Sequence, residues 1–306
     1  MQDDMIFIPP AKREVDWWAY LFVAPALVLL AVFLFVPAGW AVIDSLTSPA
    51  EGGRALSLAP YGEIGTPLFW RATLNTIYFA GIYVPGTLAA GYLIARLLLG
   101  SVRRSRYLLL LFFLPALIPA VASGTAWRWM LADNGAINAL LGAAGAGAVD
   151  WLHTGWLVMP CVAAICIWQG AGLIAVIFLA AMRAVPREYE EMAELDGAGR
   201  WRRFRHVTMP SIQNAFRVSL LLLLINAHRV FGPIYMLTRD GGPANYSTNL
   251  PMLIFRDGLE FAYRPGNGVQ TFSAASALSA ILCFTVAIFV VLLRRFPLAP
   301  GKEGEQ

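Results

Sequence analysis

Charge is what this chain has least of. Only 14% of its 306 residues are Asp, Glu, Lys or Arg, against 58% apolar, and the mean hydropathy is +0.61. A water-soluble domain carries roughly 25% charged residues, so a soluble globule is excluded and the bilayer is the solvent to reason about. Lysine is nearly absent, with Lys12 and Lys302 beside 21 arginines. The three cysteines, Cys161, Cys166 and Cys283, fall in apolar runs without C-x-x-C spacing, which excludes a redox or metal motif and reads as small buried residues. No G-x-x-x-x-G-K-[ST] stretch occurs, so the chain hydrolyses no ATP itself. No G-x-S-x-G elbow occurs, and Ser123 has only His228 at comparable depth, so an intramembrane hydrolase lacks its parts. The arginines flank apolar runs instead of clustering on a soluble face, which argues against a nucleic-acid partner.

What is present is a series of long apolar runs. A helix crossing the hydrocarbon needs about 20 apolar residues. Six runs qualify, at 19–43, 72–95, 107–127, 156–182, 216–235 and 272–293, the fifth interrupted by Asn226, His228 and Arg229. The fold class is therefore an all-α polytopic membrane protein with six transmembrane helices. The N-terminus begins acidic and its first run exceeds a signal's apolar core, so the first span is expected to be retained.

Arginine placement sets the expected orientation. Fifteen basic residues lie on one side: Lys12, Arg13, Arg96, Arg103, Arg104, Arg106, Arg183, Arg187, Arg200, Arg202, Arg203, Arg205, Arg294, Arg295 and Lys302. Six lie on the other: Arg54, Arg71, Arg128, Arg239, Arg256 and Arg264. Both termini are then cytoplasmic. The organisation is a tail at 1–17, a first span at 18–43, an extracytoplasmic loop at 44–71, a five-helix core at 72–295 and a tail at 296–306. Prolines at 25, 37, 85, 115, 119 and 160 fall in or at the ends of spans, as expected of irregular helices around a pathway. The stretches GTLAAG (86–91) and QGAG (169–172) suit close helix packing, with Gln169 also open to lining a path.

One segment breaks the rule of scarce charge. From Glu188 to Arg205, nine of eighteen residues are Asp, Glu or Arg. The spacing predicts two short helices around a turn at Asp196-Gly197. Tyr189, Met192 and Ala193 share a face of the first. Trp201, Phe204 and Val207 recur every three residues in the second, which Pro210 is expected to end. A surface hairpin lying on the headgroups would also fit these residues.

The stretch EYEEMAELDGAGRWRRFRHVTMP resembles the EAA loop of permease subunits of ABC importers, written E-A-A-x-x-x-G, nine residues, then I-x-L-P. Glu191, Ala193 and Gly197 match it, as do the flanking Tyr189, Asp196, Ala198 and Phe204. Met192, Val207 and Met209 replace Ala, Ile and Leu of the pattern. The likeness runs from Asn75 to about Ala277, through NTIYFA, AWRWMLADNGAINALLG and LTRDGGPANYST, the last typical of the carbohydrate branch, the maltose- and glycerol-phosphate-type permeases.

This resemblance implies the type I importer permease fold in the cytoplasmic (inner) membrane of a bacterium. It implies a second related permease, two cytoplasmic ATPases that bind ATP and Mg, and an extracytoplasmic solute-binding protein, with no cofactor held by this chain. The 187–210 segment would be a coupling loop docked in a groove of the ATPase. Glu191 would find an arginine there, Met192 would alter the fit, Gly197 would make the turn, and Trp201 with Phe204 would tie the loop to its own subunit.

Polar residues within spans face the bundle interior or water. Asn226, His228 and Arg229 are therefore candidates to hydrogen-bond cargo hydroxyls or a phosphate, with Phe231 and Tyr235 as stacking faces. Arg229 reaching for a headgroup is the competing reading. Trp168 reads as packing. The cargo class is a sugar or related polyol, glycerol phosphate included. A secondary transporter, or another polytopic protein with a merely structural hairpin, is the alternative. It is disfavoured because no acid lies deep in a span and no internal repeat is evident.

Overall fold

The computed structural model describes residues 17–50, 53–99, 102–239, 241–260 and 268–295. The tails with Lys12, Arg13 and Lys302, and also Asp240 and Arg264, lie outside the described residues. So do the side chains of Arg103, Arg104, Arg106, Arg187, Arg294 and Arg295.

The first span is α1 (Trp17–Leu30), a π-turn (Ala31–Phe35) and α2 (Val36–Ser45) in series. The π-turn comes just ahead of Pro37. Val36 N–H reaches back five residues to the Ala31 carbonyl, so the ladder widens where the proline has no N–H to offer. A small hairpin follows, β1 (Thr47–Ala50) antiparallel to β2 (Gly53–Leu56), then α3 (Ala59–Ile64). The loop expected at 44–71 thus contains the sole strands among the described residues. Asp44, buried at the end of α2, ion-pairs with Arg54, which also donates to Ser273 Oγ at 2.8 Å. That contact fastens the hairpin to the last helix.

The core is built on α4 (Pro67–Leu98), opened by an N-cap in which Phe69 N–H donates to Thr66 Oγ1 at 3.2 Å. Its buried residues, among them Ala72, Thr76, Phe79, Tyr83, Thr87, Gly91, Ala95 and Leu98, recur every three or four positions and make one face.

The third apolar run is broken. Helix α5 (Val102–Phe113) gives way to a 3-10 turn (Leu114–Leu117), and α6 (Ala120–Met130) leaves at 95° to it. Pro115 and Pro119 cannot donate to carbonyls four residues back, and Ile118, preceding a proline, is extended at ψ 125°. The single span expected at 107–127 is therefore two pieces. Helix α7 (Ala136–Ala143) leads to α8 (Gly155–Arg183), a continuous span that keeps Pro160 near its start.

After α8 come α9 (Arg187–Leu195), α10 (Arg200–Arg203), a second π-turn (Phe204–Thr208) and α11 (Met209–Ser211). Helix α12 (Gln213–Arg229) departs at 77° to the preceding arm. It stops short of the expected 235. Pro233 leaves the Arg229 carbonyl without its donor, Val230 turns extended, and Asn249 Nδ2 takes the Val230 carbonyl instead. A short α13 (Gly232–Thr238), then α14 (Leu250–Phe255), a third π-turn (Arg256–Glu260) and α15 (Gly268–Arg295) complete the chain.

Among the described residues, four helices or helix series are long and apolar enough to cross a membrane, at Tyr20–Ser45, Pro67–Leu98, Gly155–Arg183 and Phe272–Leu292. The number rises to six if each of the two bent pairs is counted as one span.

The main core lies between α4, α8 and α12. In lipid, apolar area gives little net drive between helices, so close contact has to supply the stabilisation. Glycines allow it. A Cβ on Gly91 would meet Ile174 Cγ2 at 2.6 Å, and one on Gly86 would meet Ile167 Cδ1 at 2.5 Å. A Cβ on Gly172 would overlap the Phe112 carbonyl at the break between α5 and α6. Gln169 Nε2 then donates to the Ile118 carbonyl at 3.4 Å, supplying a donor where the broken helix has lost one. Both small-residue stretches are packing surfaces, and Gln169 attends the kink. Trp168 packs edge-on against Trp127, ring centroids 5.5 Å apart.

Candidate functional site

The charged segment forms a helical hairpin at one end of the bundle. Its first arm, α9, ends in a Schellman turn. Ala198 N–H bonds the Ala193 carbonyl at 2.9 Å, Gly197 N–H bonds the Glu194 carbonyl at 3.0 Å, and Gly197 stands at φ +70°. That left-handed conformation is why a glycine is needed; no atom crowds the position, since a Cβ there would meet nothing within 4 Å.

The second arm runs from Arg200 through Pro210 to Ser211, so Pro210 does not end it. Met209 N–H bonds the Phe204 carbonyl five residues back, widening the helix just ahead of the ring as at Pro37. The arm ends at Ile212, two residues later than the proline rule predicts.

The hairpin is tied to the bundle by α4. The Phe204 ring meets Tyr92 edge-on at 5.0 Å, and Arg96 Nη1 lies 3.7 Å from Glu190 Oε1. The arms are joined by Arg203 and Glu194 at 3.3 Å. These pairs are partly exposed, worth about 0–1 kcal/mol each, so ring packing and the turn carry most of the hairpin's order. Trp201 leans on Phe204 at 5.3 Å yet is 70% exposed. Phe204 therefore makes the tie, and Trp201 faces outward with Tyr189, Met192 and Leu195, which are 56%, 62% and 88% exposed. Glu191 and Asp196 are exposed, and neither ion-pairs among the described residues. Ala193 and Ala198 are half-buried on the inner side. Tyr92 and Arg96 were not legible as anchors, because nothing in their spacing distinguishes them from other span-end residues.

The polar cluster of α12 divides. Asn226 and Arg229 lie three residues apart, both exposed. His228 is buried on another side, its Nδ1 2.8 Å from the Leu224 carbonyl and its ring 5.2 Å from Phe289 of α15. Phe231 and Tyr235 stack at 5.3 Å beyond the helix break, and Phe255 closes on both, at 4.8 and 5.5 Å. Tyr235 also lines a groove of about 770 Å³ with Arg128, Trp129 and Arg239. The structure thus groups the aromatics with one another and turns the histidine away from its neighbours.

Helix α8, about 43 Å long at 1.5 Å per residue, brings the chain to the hairpin from the opposite end, where the other family-like stretches meet. Asn75 Nδ2 donates to the carbonyls of Asn245 at 3.1 Å and Thr248 at 2.8 Å. Arg71 Nη1 donates to the Ala244 carbonyl at 2.6 Å and sits 4.5 Å above the Tyr246 ring. Tyr246 lies so close to Gly155 that a Cβ there would approach the ring to 2.5 Å. The loop therefore latches the starts of α4 and α8 together, with Gly241 and Gly242 at φ +88° and +69°.

Asn138 is buried between α7 and the following loop. Its Nδ2 donates to the carbonyls of Ala132, Asp133 and Val149, and its Oδ1 accepts from Val149 N and Trp151 Nε1. Nearby, Asp150 is solvated. Desolvation, the largest single influence, acts upward, but hydrogen bonds from the His153 ring and backbone together hold its carboxyl below the usual range. Asp257, in the third π-turn, is instead raised by burial, with Arg256 partly offsetting it.

Comparison with known proteins agrees with this architecture. A probable ABC transporter permease protein of Pyrococcus horikoshii is 30% identical over 285 residues, covering 89% of this chain and 96% of the relative. The lactose transport system permease protein LacF of Rhizobium radiobacter is 29% identical, covering 92% and 94%. The sulfoquinovosyl glycerol transport system permease protein SmoG of Agrobacterium fabrum is 29% identical, covering 86% and 88%. Among solved structures, a chain of a bacterial alginate ABC transporter, crystallised with a periplasmic protein holding an alginate pentasaccharide, superposes with a TM-score of 0.79 at 22% identity, covering 95% of this chain and 97% of that one. The family described as the binding-protein-dependent transport system inner membrane component matches residues 86–296. That match spans α8, α12, the hairpin and the loop of the latch, and this chain belongs to the family of inner membrane components of binding-protein-dependent transport systems.

Proposed function

We propose that this chain is the permease subunit of an ATP-driven importer that carries a sugar or related polyol inward by alternating access. The observation that carries the coupling role is the hairpin Arg187–Ser211. It is a Schellman-closed knob held to α4 by Phe204, and it presents the apolar surface of Tyr189, Met192, Leu195 and Trp201.

An ATPase groove that accepts that surface moves α8 and α12, which the hairpin joins, as levers. Glu191 faces outward for an arginine of that groove. ATP and Mg belong to two such ATPase subunits, and this chain binds neither. The arginine-bearing hairpin end is cytoplasmic, as are both termini, and the latch end faces the solute-binding protein.

The first span supports a second permease as partner. Its α1 half is largely exposed and its α2 half packs against α15, which leaves a long apolar face for another subunit. The carbohydrate class rests on the relatives, whose names include lactose, sulfoquinovosyl glycerol and diacetylchitobiose transport. Glycerol phosphate is a narrower option within the polyols. Asn226 and Arg229, with the Phe231–Tyr235 stack, are the proposed cargo contacts.

The test is reconstitution of the chain with its neighbouring-gene ATPase, second permease and binding protein in vesicles. ATP-dependent uptake of a labelled saccharide is the expected result. Uptake that proceeds without the ATPase would overturn the reading. For orientation, reporters fused after Arg104 and Arg200 are expected inside and one after Asp150 outside; Asp150 and Arg200 on one side would refute the six-span arrangement.

A further inference from the structure

A groove of about 500 Å³ lies between the end of α4 and the second arm of the hairpin, with Tyr92, Arg96, Glu190, Arg200, Trp201 and Arg203 along its walls. Three guanidiniums meet one carboxylate there. Glu190 is engaged by Arg96 at 3.7 Å, and Arg203 is engaged by Glu194 at 3.3 Å. Arg200 has no ion pair among the described residues, so the groove keeps a net positive charge.

Beside the groove, α4 turns an uncovered apolar stripe outward. Leu93 and Leu97, one turn apart on α4, are 61% and 69% exposed. Leu93 and Leu97 directly follow Tyr92 and Arg96 in the chain. An acyl chain lying along that stripe brings its headgroup to the level of Arg96, where the groove opens.

We infer that this groove holds the phosphate of an anionic phospholipid. Arg96 and Arg200 make charge-assisted hydrogen bonds to the phosphate oxygens, and Tyr92 sits at headgroup level as interfacial aromatics do. The hairpin's second arm is one wall and α4 the other, so a bound headgroup braces the knob against the core. Coupling then depends on membrane composition. The assignment rests on the cytoplasmic placement of the hairpin, and the lipid-facing stripe and the charge of the groove carry the rest.

The experiment takes the complete transporter, delipidates it, and measures retention of phosphatidylglycerol and of phosphatidylcholine by native mass spectrometry. Phosphatidylglycerol is expected to be retained at least about fivefold better, since each arginine near anionic headgroups contributes about that factor. Arg200→Gln is expected to lower phosphatidylglycerol retention about fivefold, and Arg202→Gln, the same charge change on the same arm outside the groove, to leave it unchanged. Equal loss in both variants would show general surface charge and overturn the site. Competition by millimolar inorganic phosphate would show a free-anion site and overturn the lipid. ATP-driven uptake is scored separately: its absence in every lipid refutes the transport reading, whereas the retention ratios judge the groove by themselves.

Discussion

Gly197 offers a sharp test, because its role is conformational and its surroundings are empty. At φ +70°, with no atom within 4 Å of a hypothetical Cβ, a substitution there meets no steric obstacle outside its own backbone. The left-handed conformation costs an ordinary L-residue about 1–2 kcal/mol, a factor of about 5–30 in the population of the closed turn. Alanine is expected to show that loss. Valine, branched at Cβ, is expected to lose more. Asparagine, larger than alanine but tolerant of this region, is expected to fall between glycine and alanine.

The hairpin has few other ties, chiefly the Phe204–Tyr92 contact and two partly exposed ion pairs, so such a cost is large beside what holds it. Hydrogen exchange over residues 187–211 should rise in the order Gly, Asn, Ala, Val, and co-purification with the ATPase and vesicle uptake should fall in the same order. Binding-protein affinity for cargo should not change. An asparagine variant worse than alanine would mean that size decides, and the conformational account would be wrong. A valine variant with parental exchange and uptake would remove the coupling proposal along with it.

Glu191→Ala should reduce uptake mildly, because a single solvated ion pair is worth about 0–1 kcal/mol; a total loss would show a contact of another kind. Asn138→Ala strips the partners from three carbonyls, the Val149 N–H and an indole N–H, and is expected to cost about 2–3 kcal/mol, read as a lowered thermal midpoint in detergent; an unchanged midpoint would refute the network's importance. Asn226→Ala and Arg229→Ala should lower uptake and cargo-stimulated ATP hydrolysis while assembly stays normal, and parental uptake in both would make the cluster structural. Asp257, whose carboxyl is raised by burial, is less stable charged in the folded state than in the unfolded one. Its penalty is absent below the ordinary carboxylate range near pH 4 and grows as pH rises towards the folded value. Asp257→Asn should therefore raise the thermal midpoint at pH 7 and lose that advantage as pH falls to about 4; a gain independent of pH would refute the burial account.

The sequence alone determined most of the architecture, for reasons local to each segment. Apolar runs of the right length had to be spans because the bilayer offers their backbones no other partner. Gly197 after an amphipathic arm had to be a turn, because a helix end of this kind calls for a left-handed residue. Breaks in the third and fifth runs were present in the sequence as Pro115, Pro119 and Pro233. How sharply each helix turned was not, since a proline only removes a hydrogen bond and its neighbours decide what replaces it. Gln169 at Ile118 and Asn249 at Val230 are those neighbours, and they lie 51 and 19 residues away in the chain. The same holds for the candidate site. Composition marked out Asn226, His228 and Arg229 as costly polar residues inside a span, but only helical rotation against α15 separated the buried histidine from the other two. Trp201 and Phe204 share one spacing in the sequence, yet Tyr92 on a helix about 110 residues earlier takes one ring and leaves the other to solvent. Periodicity assigns a side chain to a face of its own helix; which face is covered, and by what, depends on contacts between segments far apart in the chain, and these exist only once the bundle is packed.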